Sequence, residues 1–176
     1  MPVYPKNPFY FDGVDDSLVT IDLAHHKVHE GEYFTCSDSA TINAGAANRK
    51  VWRFTTPDSA VRAHFMVVFY SDLAGVLTFA ENPTLNAAGS ALARLNNDRN
   101  SGGVAAVTAF KDTTLTAEGT ILNTVIIGTD NPKTQIGGNA RFSSEFILKQ
   151  NEDYTLVFVA SNNATTISMV AEWYEA

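Results

Sequence analysis

The sequence predicts an all-β chain: an antiparallel β-sandwich, jelly-roll-like, forming one domain over 17–176 behind an extended N-terminal arm at 1–16. Three observations predict it. Runs rich in Val, Ile, Thr and aromatic residues recur along the chain, bounded by Gly, Asn, Asp and Pro. No amphipathic helices intervene between them, and their length and spacing suit a sandwich or jelly roll. Ile167, Met169, Ala171 and Trp173 alternate with Ser168, Val170, Glu172 and Tyr174, the period of a half-buried strand.

The arm comes first. Pro2, Pro5 and Pro8 space out Tyr4, Phe9, Tyr10 and Phe11 before an Asp12-Gly13 turn. Proline without periodicity reads as extended chain. Its exposed aromatics are candidate interaction residues, packing on the chain's own body or on a neighbouring molecule. Strands are then expected at Leu18–Ile21, Val28–Thr35, Val51–Thr55, Ala63–Tyr70, Val76–Phe79, Val104–Phe110, Ile121–Ile127, Phe142–Leu148, Tyr154–Val159 and Thr166–Tyr174. Only the alanine-bearing stretch Leu85–Leu95 is a candidate for a short helix. Polar loops are expected at 96–103 and 128–139, where Asn, Asp and Gly tolerate left-handed backbone and bond locally. The run from Phe65 to Tyr70 is apolar at every position. An antiparallel sandwich normally wets its outer face, so this strand is expected to be covered, preferably by another subunit. Phe65, Val67 and Phe69 are therefore candidate interaction residues with Tyr4, Phe9, Tyr10 and Phe11.

Composition narrows the function. At 176 residues the chain can bury about two-thirds of its unfolded surface in one core. It carries 12 basic and 19 acidic residues, a net charge of -7, with no Lys/Arg stripe. Phosphate-gripping surfaces need such a stripe, so neither nucleic acid nor an anionic membrane is an expected partner. Cys36 is the single cysteine, which excludes an intramolecular disulfide, and it reads as a small hydrophobe at a strand end. The N-terminal residues have no signal-peptide h-region, and no apolar run approaches a membrane span of about 20 residues. Synthesis in a cytoplasm is the default expectation.

The candidate chemistry lies at His25, His26 and His29, followed by Glu30-Gly31; His64 is the only other histidine. If these residues enter a strand at Val28, His26 and His29 point to opposite faces and cannot share an ion; on a helix they would lie one turn apart and could. With Gly31 following and no further ligand pair in the sequence, the expectation is packing and hydrogen bonding, with no metal site and no cofactor. Glu145 and Glu172 are expected to be solvent-facing strand residues, not glycosidase acids. Asp98 is the only acid in the 96–101 loop, too little carboxylate for a tight calcium site, and Arg99 is expected to bond loop carbonyls. There is no G-x-S-x-G elbow, Walker loop or dinucleotide loop. The sequence therefore predicts no enzyme and no catalytic residue.

Four segments occur in order: His26-Lys27-Val28-His29-Glu30-Gly31-Glu32-Tyr33-Phe34, Asn96-Asn97-Asp98-Arg99-Asn100-Ser101, Glu145-Phe146-Ile147-Leu148-Lys149, and Trp173-Tyr174-Glu175. Together they resemble small structural proteins of tailed bacteriophages that decorate or cement the head, over residues 25–175. The resemblance implies a homotrimeric β-sandwich on the outer surface of the virion capsid, at three-fold or quasi-three-fold positions, with the major capsid protein as partner. It implies fold-determining motifs rather than catalytic ones, and synthesis in the host cytoplasm. Three readings compete with it: a module binding surface glycans or a receptor, a tail or head-completion protein, and a cupin-like metalloenzyme resting on the histidines alone.

Overall fold

A computed structural model describes residues 22–127 and 145–176, together with the strand backbones of 9–11, 18–20 and 138–141. The strands are β1 (Phe9–Phe11), β2 (Leu18–Thr20), β3 (Tyr33–Ile42), β4 (Lys50–Thr55), β5 (Ala63–Ser71), β6 (Gly75–Glu81), β7 (Thr84–Ala87) and β8 (Ser90–Ala91). They continue with β9 (Leu95–Asn96), β10 (Thr108–Lys111), β11 (Thr114–Ala117), β12 (Thr120–Ile127), β13 (Gly138–Arg141), β14 (Phe146–Ile147), β15 (Asp153–Ala160) and β16 (Thr165–Glu175). Among the described residues one α-helix, α1 (Leu23–His29), precedes β3, and one 3-10 turn spans Ala46–Asn48.

Two antiparallel sheets pack face to face. The first has the order β13-β5-β16-β3-β9, with β14 also on β5; the second has the order β12-β6-β15-β4-β10-β8. Four long-range hairpins define the winding: β3 with β16, β4 with β15, β5 with β13, and β6 with β12. Rolled together, these four pairs give β3-β16-β5-β13 facing β4-β15-β6-β12. That is the eight-stranded jelly roll, a double-sheet architecture of two Greek keys. Between β6 and β12 the chain inserts β7 to β11. Of these, β8, β9 and β10 widen the two sheets, while β7 and β11 form a separate two-stranded ribbon.

The alternating strands bury one face each. From the first sheet come Phe34, Phe65, Val67, Phe69, Ile167, Met169, Ala171 and Trp173; from the second come Trp52, Phe54, Leu77, Phe79, Tyr154, Leu156 and Phe158. The rings interlock across the sheets. Phe54 meets Phe65 edge-on with centroids 4.7 Å apart, Phe65 stacks on Phe79 at 5.6 Å, and Phe69 lies 4.8 Å from Phe158. Such pairs add about 0.5–1.5 kcal/mol beyond the area they bury.

Several expectations are corrected here. Phe65, Val67 and Phe69 are core residues, at most 1% exposed, and are not interaction residues. The opposite face of β5, carrying His64, Met66, Val68 and Tyr70, is only half-buried, except for the exposed Tyr70. The strand covered on both faces is β15, where Tyr154 to Phe158 are all buried. Its outer Val157 packs with Val51 and with Leu115 and Leu85 of the β7–β11 ribbon, so the cover comes from the chain itself. The stretch Leu85–Leu95 is short strands and turns rather than a helix. In the N-terminal region, Phe9 pairs with Thr20 and Phe11 with Leu18, a ladder that crosses the expected arm boundary at 16. Tyr4, and the side chains of Phe9, Tyr10 and Phe11, lie outside the described residues.

Candidate functional site

The four segments singled out in the sequence meet at one end of the sandwich, around α1. The helix is short and buries no residue. Seven residues are too few to be stable alone, so its ends and side-chain pairs must hold it. Asp22 precedes it without a side-chain cap, while His26, Lys27 and His29 lie in its last turn, where positive charge suits the helix dipole. Lys27 Nζ donates to Glu30 at 2.8 Å and to Glu32 at 2.6 Å. Burial lowers the Lys27 pKa, but its bonds to the two carboxylates outweigh this and hold it above its ordinary value. Nδ1 of His26 lies 3.6 Å from the Glu30 carboxylate.

The helix ends in a Schellman motif. Gly31 has φ 71°, and its N–H donates to the Val28 carbonyl at 3.0 Å. The Glu32 N–H donates to the Lys27 carbonyl, also at 3.0 Å. The H-x-x-H-E-G segment is therefore the close of a helix, and not the entry to a strand that its Val28 and Tyr33-Phe34 suggested. The premise that separated the histidines fails with it. His25 and His29 are one turn apart, with their Nε2 atoms 3.0 Å from each other.

Directly beneath Gly31 lies the Asn/Asp loop. Asn96 donates from its amide to the Gly31 carbonyl at 2.7 Å and to Gly103 at 3.2 Å. Its own oxygen accepts from the Asp98 N–H, and Asp98 in turn accepts from the Asn100 N–H, both at 2.9 Å. These successive Asx turns are why the loop needs Asn and Asp at those positions. Arg99 reaches the Asn96 carbonyl at 3.5 Å, as the sequence suggested for a loop carbonyl. A Cβ on Gly31 would lie 2.2 Å from Ser101 Oγ, so only glycine admits the loop this closely.

The C-terminal segment closes the same end. The Glu175 N–H donates to the Glu32 carbonyl at 3.0 Å. The Glu175 carboxylate accepts from the backbone N–H groups of Ala106 and Val107 and from the Trp173 indole, at 2.9 to 3.0 Å. On the outer face, Tyr33, Tyr174 and His64 form a cross-strand row over β3, β16 and β5. Tyr33 stacks on Tyr174 with centroids 6.3 Å apart, and His64 stacks on Tyr174 at 4.3 Å. Glu145 completes the row. It lies 2.6 Å from His64 Nδ1 and accepts from the Tyr174 hydroxyl at 3.1 Å. Burial, then the bond to this carboxylate, pushes the Tyr174 phenol up to about 12, so it stays a hydrogen-bond donor.

The arrangement fixes structure. Glu145 is exposed but anchors the row, and Glu172 is a half-buried outward strand residue. Cys36 is buried, and burial pushes its thiol up to about 12, which removes it as a nucleophile. Among the described residues no group of three or more His, Cys, Asp or Glu side chains could hold a metal ion. Nor is any helix there long and apolar enough to cross a membrane.

A second polar cluster, not anticipated from sequence, ties the two sheets together. Asp38 on β3 accepts from the Trp52 indole at 2.9 Å and lies 3.0 Å from Lys50 and 3.4 Å from Lys111. Burial pushes the Asp38 carboxyl up, but hydrogen bonds from Lys50 and Trp52 and the two lysine charges outweigh it. The net pKa is below the ordinary carboxylate value. β3 runs on to Ile42, beyond the expected end at Thr35, and so carries Asp38 at an inward position, where a carboxylate needs a partner.

Comparison with known proteins gives no match: no family model, curated protein or solved structure is similar to this chain. Its class rests on the fold alone, a jelly roll with a bonded polar end.

Proposed function

We propose that the chain is a non-enzymatic structural protein of a tailed-bacteriophage virion. In this reading it is a homotrimeric decoration or cement protein, bound to the major capsid protein on the outer surface of the head. One observation carries the reading: four sequence segments, far apart in the chain, converge on one end of the sandwich and bond to each other rather than around a reaction centre. Segments that share such a role read as determinants of a fold. The jelly roll also serves viral capsid domains, though this is support by analogy of fold only. The acidic charge suits a protein facing solvent or a basic patch, not one lining a DNA-filled interior.

Light scattering on the purified chain tests the oligomer, and co-sedimentation with expanded heads of the parent phage tests attachment. A trimer that co-sediments supports the reading; a monomer that leaves the heads bare overturns it. Cryo-EM of the particle then separates a head-surface position from a tail or head-completion position.

A further inference from the structure

We propose that His25 and His29 form a two-nitrogen clip on α1 for a divalent transition-metal ion of tetragonal preference, Cu²⁺ or Ni²⁺. The inference is independent of the virion reading. The two imidazoles stand at i and i+4, their rings at 70° with centroids 4.8 Å apart, and their Nε2 atoms share a hydrogen bond at 3.0 Å. An ion replaces that bond once the donor ring carries its proton on Nδ1 instead. Metal–imidazole bonds are about 2.0–2.1 Å long. Two such bonds at roughly 90° place their nitrogens about 2.8–3.0 Å apart, whereas a tetrahedral angle needs roughly 3.3–3.4 Å. A hydrogen bond of ordinary length sets the 3.0 Å spacing, which brings the two nitrogens within reach of one ion; the preference for Cu²⁺ or Ni²⁺ follows from a nitrogen ligand pair with open positions.

The surroundings leave the pair accessible. Both histidines are exposed. His26 is turned toward Glu30, and Lys27 is held by Glu30 and Glu32. Two residues from each histidine, Lys27 projects from the opposite side of the helix and keeps its charge away from the ion. Among the described residues no third His, Cys, Asp or Glu joins the pair, and the two imidazoles define the clip. The fold gives the ion a further effect. A short helix with no buried residue gains most from a cross-link between successive turns, and an ion that binds only the helical form stabilises it by mass action.

The test uses the untagged full chain, titrated with Cu²⁺ and, separately, Ni²⁺. Wild type and His26→Ala should each bind about one ion per chain and gain melting temperature as the ion saturates. The Cu²⁺ EPR spectrum of wild type should show coupling to two imidazole nitrogens. His25→Ala and His29→Ala should each bind at least about tenfold more weakly, because the second nitrogen otherwise binds intramolecularly at high effective concentration. His25→Gln, which keeps a polar side chain on the exposed face, should behave like His25→Ala while melting like wild type without metal. Wild-type affinity retained in His25→Ala or His25→Gln, or no saturable binding by wild type, overturns the proposal.

Discussion

The middle of the sandwich and its α1 end are built on opposite principles. The middle is aromatic and aliphatic, with Phe54, Phe65, Phe79 and Phe158 wholly inaccessible and interlocked across two sheets. The α1 end is polar, and order there comes from Gly31, the Asn96 amide, the Glu175 carboxylate and paired side chains. Apolar burial is non-directional and tolerates some repacking. Hydrogen-bonded ends depend on individual atoms, and each loss leaves a partner unpaired. A protein can thus hold a generic interior and a specific end within one cooperative unit.

Mutations that remove one principle at a time should separate the two. The largest effect is expected in the middle: Phe79→Ala or Phe65→Ala should cost about 3–5 kcal/mol, read as a lower urea midpoint. A cost near 1 kcal/mol would mean that the interior collapses around the gap. Asp38→Asn, which removes the charge linking β3 to β4, should cost about 1.5–3 kcal/mol, the range for hydrogen bonds to charged groups.

That cluster also sets a pH dependence. The Asp38 pKa is lowered in the fold, so its stabilisation is present above the unfolded value of about 3.9 and is lost as pH falls through the folded value. For Lys50, burial lowers the pKa, but bonds to Asp112 and Asp38 outweigh this and raise it. Its stabilisation is therefore present below about 10.4 and is lost as pH rises through the folded value. Urea midpoints measured against pH should fall below about pH 4 in wild type, with a shallower fall in Asp38→Asn.

At the α1 end, Gly31→Ala should cost about 2 kcal/mol from the left-handed backbone and the collision with Ser101. Adding Ser101→Ala should recover only the Oγ share of the collision, since the Cβ at residue 101 still lies 2.9 Å away, and a double-mutant cycle measures that coupling. Smallest of all, Lys27→Ala should cost no more than about 0.5 kcal/mol, as helix-surface ion pairs do, read as a slight loss of melting temperature.

Legibility in the sequence followed the same division. Strands with clear alternation, such as Ile167 to Trp173, could be placed with their correct inward residues, because a period of two is a local property. The continuous apolar run at β5 was ambiguous. Its inner Phe65, Val67 and Phe69 are no different in kind from the outer Met66 and Val68, and only the pairing decides which face is core. α1 was missed because its polar residues precede Val28 and Tyr33-Phe34, a plausible strand. Gly31 after a cluster of basic residues was the available helix-stop signal. The β7–β11 ribbon and the sheet order stayed hidden because pairing between distant stretches of chain leaves no local trace. For the same reason the four segments could be noticed singly but not seen to touch.

The position of β16 carries a consequence for how the molecule comes into being. It lies between β3 and β5, and Thr35 donates to the Ala171 carbonyl across 136 residues of chain. No stretch that emerges earlier from the ribosome can supply the middle strand of that sheet. Until Thr165–Glu175 is synthesised, β3 and β5 present open edges and a row of uncovered aromatic rings. Such topologies fold slowly, because loop closure comes before its reward, and they are most exposed to aggregation in that interval. The first sheet therefore closes only when β16 arrives and pairs on both sides, with β3 and with β5.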